Sequence, residues 1–378
     1  MKILHGLLPG QVLQRNRSGF GTATITGTAS TVGPVEVRVG RGWRRCGKAR
    51  QGRWHATLPP LRAGGPYRVE FRIGVERLVV AEIFVGDVWF MAGQSNMGGA
   101  GNLDAAPPAH PLVRAFYLRD EWDIARDPLH FLPEAVDAAY CDPTKRVGPE
   151  ELRRYLKNEH KGVGLGIWFG REMHRRTGVP QALVPCALGG SGLAQWSPRL
   201  QNLGGSSLYG ALLRRYRKLG QPIAGILWNQ GSSDAYDEAV AAYPARMKEL
   251  VAAVRRDFGL LKVPWLVTQM GRVVLPVRRT IACWNKLQEA QRRLVKMIPH
   301  LGLVGAADVE LDDFVHFSSA GQHRIARRLA HLADGLAFGN RRAPLAPAPR
   351  GDRPVSVWWT RRGASWMIST PPGWMVTV

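Results

Sequence analysis

Between residues 10 and 85, apolar and polar positions alternate in short runs. Val35-Glu36-Val37-Arg38-Val39 and Tyr67-Arg68-Val69-Glu70-Phe71-Arg72-Ile73 both keep a period of two, which buries one face of a strand and wets the other. Gly33-Pro34 and Gly40 bracket the first run, and Pro59-Pro60 with Ala63-Gly64-Gly65-Pro66 precede the second. This is the turn chemistry that separates strands. The pattern predicts a small antiparallel β-sandwich domain over residues 1–85.

From Gly86 the period changes. Short apolar runs at residues 88–92, 183–187, 223–228, 265–268 and 301–306 alternate with helical periodicity at 166–176, 208–219, 236–258, 279–297 and 319–332. Such alternation specifies an α/β domain, here residues 86–338, with a parallel sheet covered by helices on both faces. The stretch from about 98 to 160 exceeds a simple crossover. Its Pro- and aromatic-rich content, with Pro107-Pro108, Trp122 and Phe131, predicts an insertion beside the upper rim of the sheet, where long loops shape pockets. Residues 339–378 read as a basic, Pro-rich linker (341–354) and a small β appendage. Its Trp358, Trp359, Trp366 and Trp374 are expected to form a core rather than a sugar-stacking surface.

Composition narrows the function classes. The chain has 378 residues, 45% hydrophobic and 21% charged, enough apolar material for a sizeable core and too much for disorder. No apolar run reaches the roughly 18–20 residues of a membrane span, so no membrane partner is expected. Met1-Lys2-Ile3-Leu4-His5 meets Pro9, Gln11 and Arg15 before a signal-peptide hydrophobic region forms. A chain complete as written is therefore expected in the cytoplasm, and one that begins upstream in the periplasm or outside the cell. Lys and Arg number 52 against 29 acids, a net charge of +23. Nucleic-acid binders gather such charge in one patch or tail, whereas Arg pairs recur here from Arg44-Arg45 to Arg361-Arg362. Nucleic acid is not the expected partner. Cys46, Cys141, Cys186 and Cys283 show neither C-x-x-C nor paired spacing to His, so neither a zinc site nor a disulfide framework is expected. Nothing in the chain reports its oligomeric state.

The candidate chemistry lies just after the strands. Gly93-Gln94-Ser95-Asn96-Met97, Leu188-Gly189-Gly190-Ser191, Asn229-Gln230-Gly231-Ser232 and Asp313-Phe314-Val315-His316 each follow an expected strand, and strand carboxyl ends converge on one crevice in an open parallel sheet. Ser95 sits in a glycine-marked turn suited to expose a nucleophile. His316 is the candidate base, and Asp313, three positions earlier, the carboxylate that orients it. The N–H of Ser95 or Gly190, with the Gln230 amide, are the expected donors to a developing oxyanion. Gln94, Asn96 and Trp196 complete the candidate substrate-contact residues, with Trp196 and the insertion expected to wall a sugar pocket.

These blocks, with Gly86-Asp87-Val88-Trp89-Phe90, Gln195-Trp196 and the opening Gln11-Val12-Leu13-Gln14-Arg15, resemble the sialate O-acetylesterase-like branch of the SGNH hydrolases. The similarity runs over roughly residues 8 to 335. The resemblance implies a three-layer, flavodoxin-like fold with Ser95 as nucleophile, His316 as base, Asp313 as its partner, and no metal or organic cofactor. The expected function is a serine esterase removing O-acetyl groups from a sugar or glycan through an acetyl-enzyme, the alternative being a catalytically silent glycan-binding or scaffolding member of the same fold. One block departs from the family. Gln-Gly-Glu is common there, and here Ser232 follows Gly231, with Asp234 as the nearby carboxylate that would compensate.

Overall fold

The computed structural model describes residues 1–158, 160–274, 278–340, 358–362 and 365–369. One strand organises the larger unit. Glu76–Gly93 runs for 18 residues, pairing first with the antiparallel strand Gly64–Ile73 and then with parallel neighbours on both sides. The boundary expected at residue 85 falls inside this strand, and Met1–Ala348 form one compact unit.

The N-terminal antiparallel strands form one ladder, in the order Lys2–His5, Thr24–Thr28, Arg53–Thr57, Arg44–Arg50, Gly33–Val39, Gly64–Ile73 and Glu76–Gly93. The sequence predicted a sandwich of two sheets; apart from the short Phe20–Gly21/Leu61–Arg62 ladder, the strands join in a single sheet with its own core around Ile25, Val37, Trp54 and Phe71. Period-two alternation reports that each strand has one buried face, but not how many sheets share it.

The parallel sheet has the order Val113–Phe116, Gln181–Pro185, Glu76–Gly93, Gly225–Asn229, Trp265–Thr268, Leu301–Val304. Helices Leu208–Leu219, Asp237–Asp257 and Arg278–Met297 cover one face, over Phe90, Val184, Trp228 and Val267. Leu165–Thr177 and Ser319–Phe338 cover the other, over Trp89, Met91, Leu183 and Leu266. Both faces are buried, which is why these strands read as continuous apolar runs. Both parallel neighbours of the strand that ends at Gly93 come later in the chain, Gln181–Pro185 on one side and Gly225–Asn229 on the other, so the connections diverge there, the switch point where α/β sheets open a crevice.

The insertion differs from its expected place. Val113–Phe116 is wholly buried and adds a strand beyond Gln181–Pro185, with Trp122–Ile124 antiparallel outside it. Part of the 98–160 segment therefore extends the sheet rather than lying only beside its rim. Four residues are too few to register as a strand against helical and loop readings of the same run.

Within the long strand, where its antiparallel and parallel pairings meet, Asp87 is fully buried and holds the two ladders together. Arg15 donates to both of its oxygens at 2.8 and 2.9 Å, and Gln181 Nε2 donates at 3.2 Å. Removing one partner of a buried ion pair costs about 3–5 kcal/mol. Arg15→Ala is expected to lower the unfolding free energy by about 3 kcal/mol, read from the urea midpoint, while Arg17→Ala, on the exposed turn, leaves it within error.

The second unit, Pro349–Val378, holds the antiparallel pair Trp358–Arg362 and Ser365–Ser369. The linker 341–354, Trp374 and the packing expected of the tail's tryptophans lie outside the described residues. No helix among the described residues is long and apolar enough to cross a membrane.

Candidate active site

Gly93 ends the long strand at φ +134°, and a Cβ there would lie 2.1 Å from the carbonyl oxygen of Asn229. Only glycine lets the strand turn so close to its neighbour. Gln94 N–H donates to that same carbonyl at 2.8 Å, and Ser95 opens the short helix Ser95–Gly98. The serine is thus presented at the sheet's carboxyl edge.

Across 221 positions of sequence, the loop before the last helix reaches the same point. Ser95 Oγ and His316 Nε2 lie 2.9 Å apart, and His316 Nδ1 lies 2.7 Å from Asp313 Oδ2. The other Asp313 oxygen accepts from the N–H groups of Val315 and His316 at 2.8 and 2.7 Å. These partners assign the tautomer: Nδ1–H donates to the carboxylate, and Nε2 accepts the serine hydroxyl. Partial burial pushes the Asp313 carboxyl up. Its hydrogen bonds from the His316 ring and the two backbone N–H groups outweigh this and hold it below the usual range. The carboxylate stays charged.

Asn96 secures this meeting. Its Nδ2 donates to Val315 carbonyl oxygen at 3.1 Å and its Oδ1 accepts from Phe317 N–H at 2.9 Å, so its side chain brackets the histidine rather than facing a substrate. Gln94 Oε1 accepts from Gly231 N–H at 2.9 Å and ties the third loop to the Ser95 turn. Gly189 lies against the serine, where an added Cβ would stand 3.8 Å from Ser95 Cβ, and Gly190 follows at φ +70°.

A hydroxyl, an imidazole and a carboxylate in one hydrogen-bonded row can carry out nucleophilic acyl transfer. Residues 85–334, well over half of the chain, match the family described as "Carbohydrate esterase, sialic acid-specific acetylesterase". The chain belongs to this family.

Relatives agree with that membership among hydrolases of ester bonds. The chain is 29% identical over 201 residues to a probable carbohydrate esterase of Arabidopsis thaliana, covering 47% of this chain and 66% of that protein. It is 26% identical over 160 residues to the sialate O-acetylesterase of Homo sapiens, covering 40% of this chain and 29% of that protein. The matches thus span less than two thirds of either relative. In fold, the chain is similar to the crystal structure of a carbohydrate acetylesterase from Xanthomonas citri, with TM-score 0.64 and 22% identity over 89% of this chain and 76% of that one. It is also similar to an Arabidopsis thaliana protein, with TM-score 0.51 and 22% identity over 66% of this chain and 98% of that one.

Two further residues of this site sit otherwise than expected. The Gln230 amide has both hydrogens engaged, on Ser191 carbonyl oxygen at 3.1 Å and on Asp234 Oδ2 at 2.5 Å, and is buried. It braces two loops and has no hydrogen left for an oxyanion. Trp196 is wholly buried, packed edge-on against Trp228 with ring centroids 5.2 Å apart, and its indole N–H donates to Ser191 Oγ at 3.2 Å. It supports the second loop from beneath rather than walling a pocket. Residue type alone gives an amide or an indole a polar reach; which acceptor takes it depends on loops brought together by folding.

Asp234 also has a direction. Its Oδ2 accepts from Leu193 N–H at 2.8 Å as well as from Gln230, so it faces the glycine loop, not the histidine. It does not take up the role of a family glutamate at Ser232. Burial raises its pKa against these hydrogen bonds and the charge of Arg246. Ser191, which sequence reading assigned no role, donates to Leu188 carbonyl oxygen at 2.8 Å and lies 3.3 Å from that of Gly93, stitching the glycine loop to the strand that ends at Gly93. Asp234→Ala leaves two buried donors unpaired and frees that loop, and kcat for p-nitrophenyl acetate is expected to fall by about 10–100-fold. Asp234→Asn keeps an accepting oxygen in place, so its rate should stay within a few-fold of wild type.

Proposed function

We propose that this protein is a serine esterase that removes O-acetyl groups from a carbohydrate. The observation that carries the reading is the unbroken row Ser95–His316–Asp313, at 2.9 and 2.7 Å. Ser95 Oγ attacks the acetyl carbonyl carbon as its proton passes to His316 Nε2. Asp313 stabilises the imidazolium that forms. The N–H groups of Ser95 and Gly190 are the donors for the oxyanion, each such donor being worth about 3 kcal/mol in the transition state. Collapse expels the sugar oxygen, which takes the proton from His316, and the acetyl group remains on Ser95. Water, deprotonated by His316, then attacks the acetyl-enzyme and releases acetate.

A catalytically silent glycan-binding member would be favoured by Ser232 in place of the family's Glu and by sugar-stacking terminal tryptophans. Neither gains support: the histidine has its carboxylate in Asp313, and the tryptophans belong to a separate unit. The test is acetate release from a panel of O-acetylated sugars, with mass spectrometry of quenched enzyme for a single added acetyl on the peptide holding Ser95. Release with that adduct is the expected result. No acetate from any member of the panel would overturn the reading.

A further inference from the structure

The positive charge is unevenly folded. Residues 1–75 hold thirteen Lys and Arg against Glu36 and Glu70, a net +11 of the chain's +23. Both carboxylates are already engaged: Arg72 donates to both oxygens of Glu36, and Arg38 and Arg68 donate to Glu70. The neighbouring strands carry cations that have no such partner.

Their register places these cations together. In Thr24–Thr28, Arg53–Thr57 and Arg44–Arg50, the residues Ile25, Trp54, Ala56 and Ala49 turn into the core. Lys48 lies opposite His55, Arg50 opposite Arg53, and Thr26 opposite His55 on the other side. All five of these polar residues are exposed on the outer face. Among the described residues, no carboxylate lies within ion-pairing distance of Lys48, Arg50 or Arg53. Cross-strand neighbours on one face stand about 5 Å apart, and like charges directly opposite each other oppose folding. An anion laid over the face would relieve that repulsion. A shallow groove of about 480 Å³ is lined by the same residues, with exposed Leu4 at its rim.

We propose that this face binds an acidic polysaccharide, a chain with a carboxylate on successive sugars, and so selects acidic O-acetylated glycans for the esterase site. The inference rests on the carbohydrate-esterase reading above. Charge repeating at sugar spacing meets cations at strand spacing, and Thr26 and His55 supply polar partners for sugar hydroxyls. Single-stranded nucleic acid is bound by a basic groove combined with exposed aromatic faces on which bases stack. The one indole of the groove, Trp54, is 2% exposed and donates its N–H to Thr28 carbonyl oxygen, and the lining holds no Phe or Tyr, so a sugar polymer fits this surface better.

The test uses the full chain carrying Ser95→Ala, titrated at low and at raised salt with polygalacturonate, dextran and a single-stranded DNA oligonucleotide. Two triple variants accompany it: Lys48→Gln/Arg50→Gln/Arg53→Gln, and the charge-keeping Lys48→Arg/Arg50→Lys/Arg53→Lys. Polygalacturonate is expected to bind with an affinity that falls as salt rises, and dextran not to bind. The Gln variant should bind at least tenfold more weakly with an unchanged or higher Tm, and the charge-keeping variant should bind like its parent. Equal affinity of parent and Gln variant, loss of binding in a folded charge-keeping variant, no binding by the parent, or DNA binding as tight as polygalacturonate would each overturn the proposal. Turnover of p-nitrophenyl acetate by chains with Ser95 intact is read separately and should be the same with and without the Gln substitutions. An absence of turnover would sink the esterase reading and leave the binding result standing.

Discussion

Ser95→Ala should retain no more than about a millionth of the wild-type kcat on an acetyl ester. The substitution removes the oxygen that forms the bond to the acetyl carbon, and nothing else beside His316 replaces it. Ser95 is held by the Gly93 turn and by the base 2.9 Å away, so the loss is chemical and the fold is untouched. His316→Ala should cost nearly as much, and the double variant little more than either. Residues that act as one unit are strongly non-additive, because the first deletion already abolishes the step that the second serves. The measurement is steady-state hydrolysis with circular dichroism of each variant as the control for folding. A Ser95→Ala protein within tenfold of wild type would exclude Ser95 as nucleophile.

The second large effect is expected at Asp313. Asp313→Asn should lower kcat by about 10⁴-fold with little change in KM or Tm. The asparagine oxygen can still accept from the N–H groups of Val315 and His316. Its amide, however, presents hydrogens to Nδ1, which favours the tautomer with the proton on Nε2, where Ser95 must deliver its own. The wild-type pH profile follows from the same carboxylate. A depressed folded pKa means the charged form is present above the ordinary carboxylate range and is lost only as pH falls through the lowered value. Across neutral and mildly acidic pH, Asp313 therefore stays ionised. The acid limb of log kcat/KM should therefore carry no contribution from Asp313 and fall with no more than unit slope. A slope of two would mean that Asp313 titrates within that range, and a rate near wild type in Asp313→Asn would exclude the orienting role.

Much of the candidate site was legible because its signals are local. Gly93 before Ser95 marks a turn that no other residue closes so tightly, and Asp313 three positions before His316 allows a contact within one loop. Asn96 was legible as a neighbour of the nucleophile but not as the clamp on residues 315–317, since both its partners lie some 220 positions away. Gln230 and Trp196 misled for another reason: residue type gives a polar reach but not the acceptor that takes it, here Ser191 and Asp234 for the amide and Ser191 for the indole. The strand Val113–Phe116 was hidden in a segment whose prolines and aromatics read as loop, and only its pairing with Gln181–Pro185 makes it a strand.

By itself the sequence determined the periods of burial, hence a β-rich start and a helix-covered parallel sheet, and the residue types standing at each strand's end. Tertiary structure decided which polar groups face substrate and which brace the loops. It also decided that the N-terminal strands join in one ladder continuous with the parallel sheet, and that cations with no carboxylate partner among the described residues gather on one outer face. The physical reason is that periodicity records how one element divides its own surface between core and water. The partner of a particular amide, indole or guanidinium is set by strand pairing and loop contacts between distant residues, and these exist only once the chain has folded.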